Sequence, residues 1–310
     1  MRPGLPKHYV INRDVSLALQ SGRPIVALES AVLTHGLPRP ENLSLAQDME
    51  ANVREQGAMP ATIALLKGKI KIGLSEDEKT ALANMDSTRK ISLRDFGIAL
   101  ANELSGGTTV AATMFAAEKA GIRVFATGGI GGVHRGAPFD VSADLLQLGR
   151  SKMLVVCAGA KAILDLPATR EYLETQGVPV IGFQTDEFPA FYTHQSGMRV
   201  DYSVDSPGEA ARIAIQAWEA GLSTAVLLVV PPPVETISPE EIERAIQTAV
   251  AEAEQKGVHG AQSTPFLLGR VSELTGGESK RANLALLKNN ARIAAQAAVA
   301  MGSTYPAVSA

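Results

Sequence analysis

Lys152-Met-Leu-Val-Val-Cys-Ala-Gly-Ala-Lys161 runs an apolar strand into a turn of small residues and sets a lysine just beyond it. An uninterrupted apolar run of this length, closed by glycine, reads as a strand buried on both faces, which belongs to a parallel sheet covered by helices. A lysine at the end of such a strand has two readings. Desolvation there disfavours an ammonium and frees an amine to act as a nucleophile able to form a Schiff base. The alternative is a lysine in a first helical turn that points to water.

Outward from this stretch, short apolar runs alternate with longer amphipathic ones. Strands are predicted at Pro24 to Leu28, Ala61 to Leu66, Arg123 to Ala126, Met153 to Cys157, Val178 to Gly182 and Ala225 to Val230. Lys67-Gly68-Lys69 is expected to turn the second strand back into Ile70-Lys71-Ile72 as an antiparallel hairpin. Helices are predicted at Pro40 to Gln56, Thr109 to Ala120, Ala160 to Thr175, Pro207 to Ala220 and Pro239 to Lys256, and Gly57, Gly121, Gly177, Gly221 and Gly257 stand where a left-handed residue closes a last turn. After Pro231-Pro-Pro233 only helices are expected, ending in the alanine-rich run Ala291 to Ala300. The fold class is α/β: a three-layer α/β/α arrangement with a mostly parallel, mixed central sheet and a helical C-terminal segment. Residues 1–310 are read as a single catalytic domain, with 1–22 as an N-terminal arm and 234–310 as a helical part packed on the sheet domain.

A content of 45% hydrophobic and 20% charged residues in 310 supplies a full core, and the net charge of -3 is spread without long runs. A nucleic-acid polymer or an anionic membrane is therefore not the expected partner, and the ligand is small. Met1-Arg-Pro-Gly-Leu-Pro-Lys-His-Tyr-Val10 lacks an apolar signal core, and no apolar run approaches the roughly 18 residues of a membrane span. The lone cysteine, Cys157, lies inside an apolar strand, which argues against a catalytic thiol and fits a reducing cytoplasm.

In open α/β sheets ligands sit beyond the carboxyl ends of parallel strands. There stand Glu29-Ser30, the run Thr127-Gly-Gly-Ile-Gly-Gly-Val-His-Arg-Gly136, and Lys161. Glu29 interrupts the apolar run Ile25-Val-Ala-Leu28, where a carboxylate is partly desolvated and can move protons near neutral pH, or else is held structurally by backbone or an arginine. The glycine-rich run is no dinucleotide fingerprint, because His134 occupies the third glycine position; it offers either backbone open to a ligand beside His134 and Arg135, or a tight structural turn. For an anionic group, Ser105-Gly-Gly-Thr-Thr109 opens a helix whose free N–H groups suit a phosphate, and Lys90 and Arg94 could supply charge; both could equally be a plain cap and a solvated basic face. Asp140 and Asp144 share a helical face if a helix begins at Asp140, and a hydrated divalent cation needs only one or two carboxylates, though Asp140 is also a good N-cap. The histidines at 8, 35, 134, 194 and 259 show no zinc spacing, and neither a P-loop nor a Gly-x-Ser-x-Gly elbow occurs.

Taken together, these segments resemble the pseudouridine-5′-phosphate glycosidase family, which includes indigoidine synthase A-like proteins. The resemblance rests on Ala27-Leu-Glu-Ser30, Thr34-His-Gly36, Pro60-Ala-Thr-Ile63, Thr108-Thr-Val110, Ala126 to Gly136, Asp140-Val-Ser-Ala-Asp144, Val156 to Lys161, Ser263-Thr-Pro-Phe266 and Leu274-Thr-Gly-Gly277, and it spans Ala27 to about Asn290. It implies that Lys161 is the Schiff-base lysine and Glu29 the acid/base. It implies further that Lys90, the Val110 backbone, and Ser142, Ala143 and Asp144 contact substrate, with Thr127, His134 and Asn283 in the pocket. Asp140 is implied to hold Mn2+, or another divalent cation, through waters, with Asp144 as second choice because Ala137-Pro-Phe139 is shorter than in some relatives.

The implied reaction is reversible cleavage of pseudouridine 5′-phosphate to uracil and ribose 5-phosphate in nucleotide catabolism, by a cytoplasmic homotrimer. Alternatives are a Schiff-base lyase or aldolase on another sugar phosphate, a relative turned to other C–C glycosidic chemistry, and a non-catalytic sugar-phosphate sensor. The joint presence of Lys161, Glu29 and Asp140 speaks against the last.

Overall fold

The computed structural model describes residues 5–304 apart from 87, 235–236, 259 and 261–262. His259 and the first four residues of the N-terminal stretch thus lie outside the described residues. The strands are β1 (Tyr9–Ile11), β2 (Ile25–Glu29), β3 (Met59–Leu66), β4 (Lys69–Ile72), β5 (Arg89–Ile91), β6 (Gly106–Thr108), β7 (Val124–Ala126), β8 (Val133–His134), β9 (Ala137–Val141), β10 (Leu154–Cys157), β11 (Leu164–Asp165), β12 (Val180–Phe183), β13 (Tyr202–Val204) and β14 (Val226–Val229). The helices are α1 (Arg13–Gln20), α2 (Glu41–Glu55), α3 (Glu76–Ala83), α4 (Phe96–Ala101), α5 (Val110–Ala120), α6 (Ala143–Leu148), α7 (Leu166–Thr175), α8 (Pro207–Glu219), α9 (Pro239–Gln255), α10 (Ser263–Leu274) and α11 (Glu278–Thr304).

The main sheet runs β1-β4-β3-β2-β7-β10-β14-β12-β13, with β6 joined to β3 and β5 joined to β6. It is parallel except where β4 and β6 pair antiparallel to β3. The mixed, mostly parallel sheet expected from the alternating pattern is the one present, and Lys67-Gly68 makes the expected hairpin turn. Its centre is Leu154-Val-Val-Cys157, fully buried between two helical layers; each such Val or Leu contributes about 1.5–3 kcal/mol by leaving water. Gly121 closes α5 at φ 89°, and Gly57, Gly177, Gly221 and Gly257 likewise follow helices with positive φ. Helix α11 packs against α2 and α8 and lies over β2, β7 and β10.

Two readings are corrected. Residues 5–22, read as an arm, include strand β1 on the sheet edge and helix α1, whose N-cap Asn12 accepts from the Asp14 N–H; three strand residues are too few to show a period. The helix expected from Ala160 begins instead at Leu166, after the two-residue strand β11, with Asp165 as its N-cap and Pro167 in its first turn. Strand β11 pairs with β8, and β8 with β9, in a small second sheet at the carboxyl end of the first.

Candidate active site

Strands β2, β7 and β10 are parallel neighbours whose register pairs Leu28 with Ala126 and Ala126 with Val156. Glu29, Thr127 and Cys157 therefore leave the sheet at one level, at the edge where ligands collect in parallel sheets. Beyond that edge opens a cleft of about 390 Å³ lined by Glu29, Lys90, Thr127, His134, Asp140 and Lys161, together with Val110, Ser142, Ala143, Asp144 and Asn283. Every residue to which the family resemblance assigns a site role thus borders one cavity. Cys157 does not: it is fully buried, and burial pushes its thiol up to about 12.

Lys161 stands in a turn between β10 and β11, not in a helix. Its main chain is clamped, with its N–H donating to Ile130 O at 3.1 Å and its carbonyl accepting from Leu164 N–H at 3.0 Å. Its amine donates to the carbonyl of Gly129. Glu29 accepts from the hydroxyl of Thr127 on Oε1. Burial raises the Glu29 carboxyl above its ordinary value, and Asp144 pushes the same way, while Lys161, the Thr127 hydroxyl and Lys90 pull it down only in part. Lys90 is shifted down, by burial first and then by repulsion from Lys161. Two lysines thus share one cleft with the carboxylates of Glu29, Asp140 and Asp144.

Strand β5 sets Lys90 beside α5. Ile91 pairs with Thr108, and Thr109 N–H donates to Ile91 O at 2.9 Å, so Ser92 to Arg94 and Val110 leave the sheet side by side. The helix N-terminus proposed for a phosphate is partly occupied by the protein itself. Asp144 Oδ1 accepts from Ala111 N–H at 2.9 Å, and Thr109 Oγ1 accepts from Ala112 N–H. The Val110 N–H has no protein acceptor among the described residues, and Val110 lines the cleft together with the exposed Arg94, which has no ion pair among the described residues.

Asp140 and Asp144 do not share a helical face. Asp140 lies on β9, Ser142 caps α6, and Asp144 is in the first turn of that helix. Both Asp144 oxygens are committed to main chain, the second accepting from Gly131 N–H at 2.8 Å. The Asp140 carboxylate is exposed and has no hydrogen bond or ion pair among the described residues. No cluster of three or more His, Cys, Asp or Glu able to hold a metal occurs among the described residues.

The glycine-rich run serves both expected roles: Gly128, Gly129 and Gly131 line the cleft, and neighbouring side chains pack closely against the run. A Cβ on Gly131 would fall 2.2 Å from Ser142 Oγ, one on Gly132 2.3 Å from Thr169 Oγ1, and one on Gly129 2.6 Å from the Phe191 ring. Arg135, expected beside the ligand, turns away: it grips Glu243 with both terminal nitrogens and donates to the carbonyls of Ala162 and Leu164.

Some cleft residues were not singled out from the sequence. His35 sits on a π-helical turn, Val32–Gly36, directly after β2, with Nδ1 2.7 Å from Thr34 Oγ1. Burial, followed by repulsion from Lys90, lowers its pKa. The Thr34-His-Gly36 block held the signal, since π-turns collect at functional sites. Phe191 closes the cleft behind Gly129 with φ 68°, and nothing in the sequence marks it.

The model of the family described as "Indigoidine synthase A like protein" matches residues 14–300. The chain belongs to the indigoidine synthase A-like family. Among members, this protein is 51% identical over 298 residues, 95% of this chain and 97% of the relative, to the pseudouridine-5′-phosphate glycosidase of Caldanaerobacter subterraneus subsp. tengcongensis. It is 54% identical to the protein of the same name from Chloroflexus aurantiacus, over 93% of this chain and 97% of the relative. Among solved structures, an indigoidine synthase A-like protein from Thermotoga maritima superposes with TM-score 0.88 at 38% identity, covering 97% of this chain and 99% of the other. The prealnumycin C-glycosynthase AlnA, solved with ribulose 5-phosphate, superposes with TM-score 0.89 at 38% identity, covering 96% and 98%. No helix among the described residues is long and apolar enough to cross a membrane.

Proposed function

We propose that this indigoidine synthase A-like protein is a pseudouridine-5′-phosphate glycosidase that acts through a Schiff base on Lys161. The observation that carries the reading is the meeting, beyond the ends of β10 and β2 on either side of β7, of a lysine amine and a half-buried carboxyl of raised pKa in a cleft walled by Lys90 and Arg94. Relatives about half identical over nearly their whole length bear that name. A neighbour of the same fold binds a pentose phosphate.

The substrate joins ribose C1′ to uracil C5 through carbon, so protonating a heteroatom leaving group is not available. Glu29 gives a proton to O4′ as the C1′–O4′ bond breaks, and takes one from the lysine nitrogen that adds at C1′, which keeps its hydrogen throughout. The Lys161 amine bonds to C1′, uracil C5 takes a proton, and the C1′–C5 bond breaks as the lysine nitrogen donates its pair to form an iminium. Water then adds to the iminium carbon, releasing ribose 5-phosphate and the free amine. Lys90, Arg94 and the Val110 N–H are the group for the 5′-phosphate, whose binding holds C1′ against the amine. Thr127, His134, Ser142, Ala143 and Asn283 complete the walls that orient sugar and base, and Asp144 acts chiefly by holding Gly131 and Ala111 in place.

Asp140 is the residue for Mn2+ or a similar hard cation, because its carboxylate alone of the two is uncommitted. One carboxylate suits an ion that keeps most of its waters. When bound there, the ion would supply ordered water and a positive charge for substrate oxygens. We take the whole chain as one catalytic unit, a cytoplasmic homotrimer; the fully exposed Phe139 beside Asp140 offers apolar surface to a neighbouring copy.

The test is incubation with pseudouridine 5′-phosphate and Mn2+, a borohydride quench, and peptide mass mapping alongside a uracil assay. Uracil with a reduced pentose-phosphate adduct on Lys161 is expected. Neither product from folded protein would overturn the reading in favour of a Schiff-base lyase on another sugar phosphate, and uracil without an adduct would remove the covalent lysine.

A further inference from the structure

Helix α11 does more than cover the sheet. Asn283, Leu287 and Asn290, spaced four and three residues apart, share the helix face that lies on the turn after β7. Leu286 and Leu287 fill the space where a Cβ on Gly128 would be, with atoms at 3.3 and 3.1 Å. Asn290 is wholly buried at the end of this face. Its Nδ2 donates to Thr127 O at 2.9 Å and to Gly128 O at 3.4 Å, while its Oδ1 has no partner among the described residues.

A leucine shares asparagine's branching at Cγ, at larger volume, and would leave no buried amide oxygen unpaired, so packing alone gives this alanine- and leucine-rich helix no use for the amide. What the amide does is hold the main chain of Thr127 from one side, while Val156 O accepts the Thr127 N–H at 3.0 Å on the other. Thr127 is thereby fixed at both ends of its peptide, and its hydroxyl is the group that donates to Glu29.

We infer that Asn290 is a positioning residue: by gripping the Thr127 and Gly128 carbonyls it holds the Thr127 hydroxyl on Oε1 of Glu29, and so leaves the other carboxylate oxygen to exchange the proton. This rests on Glu29 being the acid/base of the proposed reaction.

The experiment is an infrared titration of the Glu29 carboxyl in the full-length protein without substrate, the band being identified by its loss in Glu29→Gln. A hydroxyl donating to a carboxylate favours the charged form. Thr127→Val is therefore expected to move the Glu29 midpoint up by about one pH unit, the scale of one hydrogen bond to a charged oxygen. Asn290→Leu is expected to move it in the same direction, and the double variant no further than Thr127→Val alone. An Asn290→Leu midpoint equal to wild type, a shift that simply adds to that of Thr127→Val, or no shift in Thr127→Val would each overturn the inference, whatever the melting temperature does. Should Asn290→Leu fail to fold, Asn290→Ala, which adds no volume, takes its place under the same criteria. Because no substrate is used, the outcome stands apart from whether pseudouridine 5′-phosphate is turned over; if it is, Asn290→Leu is expected to lower kcat roughly tenfold with KM little changed.

Discussion

The carbonyl of Gly129 accepts a hydrogen bond from the amine of Lys161, and no side chain other than glycine's fits at that position because the Phe191 ring occupies the site of its Cβ. The lysine is thus aimed by main chain rather than by a neighbouring side chain. Gly129→Ala is expected to push the carbonyl off the amine, lowering stability by about 1–3 kcal/mol as overpacked sites do. Borohydride trapping at Lys161 should fall by more than the loss of folded protein accounts for. Trapping that merely tracks the folded fraction, read from circular dichroism, would show the contact to be incidental.

Glu29 gives a pH signature in stability as well as in rate. Its folded pKa lies above the unfolded value, so the native state binds its proton more tightly, and the penalty of ionising it appears as pH rises from the ordinary carboxylate range through the folded pKa. Glu29→Gln is therefore expected to melt higher than wild type at pH 7, with the difference vanishing on acidification below the ordinary carboxylate value, while kcat is lost and KM changes little. A variant that melts lower at pH 7 would mean that the carboxylate is a net structural asset.

Asp140 and Asp144 should separate cleanly. Asp144→Asn turns an amide NH2 toward one of two main-chain N–H donors and is expected to cost about 1.5–3 kcal/mol in urea unfolding. Asp140→Asn, exposed and unbonded, should change stability by no more than about 0.5 kcal/mol yet raise the Mn2+ concentration needed for half-maximal activity. Calorimetric Mn2+ affinity that survives in Asp140→Asn and disappears in a folded Asp144→Asn would reverse the assignment.

Lys90 is expected to bind the 5′-phosphate as a cation. Its folded pKa is below the ordinary lysine value, so its charge is lost at lower pH than that of a solvated lysine. KM should accordingly rise with pH through that range in wild type. In Lys90→Met, KM should be roughly ten- to hundredfold higher and lack this pH dependence. Identical alkaline limbs in the two proteins would place the phosphate elsewhere.

Away from the cleft, Lys79 is fully buried with its ammonium 2.6 Å from Glu50 and 2.7 Å from Glu76. Lys79→Met strands the Glu50 carboxylate, leaving it only the half-exposed Arg54 and the Thr62 hydroxyl. A loss of about 3–5 kcal/mol is expected on breaking such a pair, and a change under 1 kcal/mol in urea unfolding would mean that Arg54 and Thr62 suffice.

The central strands were legible because burial on both faces writes itself as uninterrupted apolar runs: Val26 to Leu28, Val124 to Ala126 and Leu154 to Cys157 all lie in predicted strands. Their carboxyl ends then located Glu29, Thr127 and Lys161. Strands β8, β9 and β11 were not legible, since two to five residues in a small surface sheet carry no period, and with them went the placement of Asp140 and the helix start after Lys161. Arg135 was expected beside the ligand because its partner Glu243 lies 108 residues away in the sequence. Asn290 illustrates the same limit. Its acceptors are main-chain atoms, which leave no mark on composition.

The hydrogen-bond ladder that aligns Glu29, Thr127 and Cys157 also sets how the cleft can breathe. Amide protons of β2, β7 and β10 sit in the middle of the main sheet and are expected to exchange only when the whole protein unfolds, whereas Ala137 to Val141 is held by the two residues of β8 and should open at far lower free energy. The cleft is thus built from a wall that stays put for the lifetime of the fold and a flap that yields many times within it. Opening of that strand beside Asp140 would widen the cleft while leaving Lys161 and Glu29 in place.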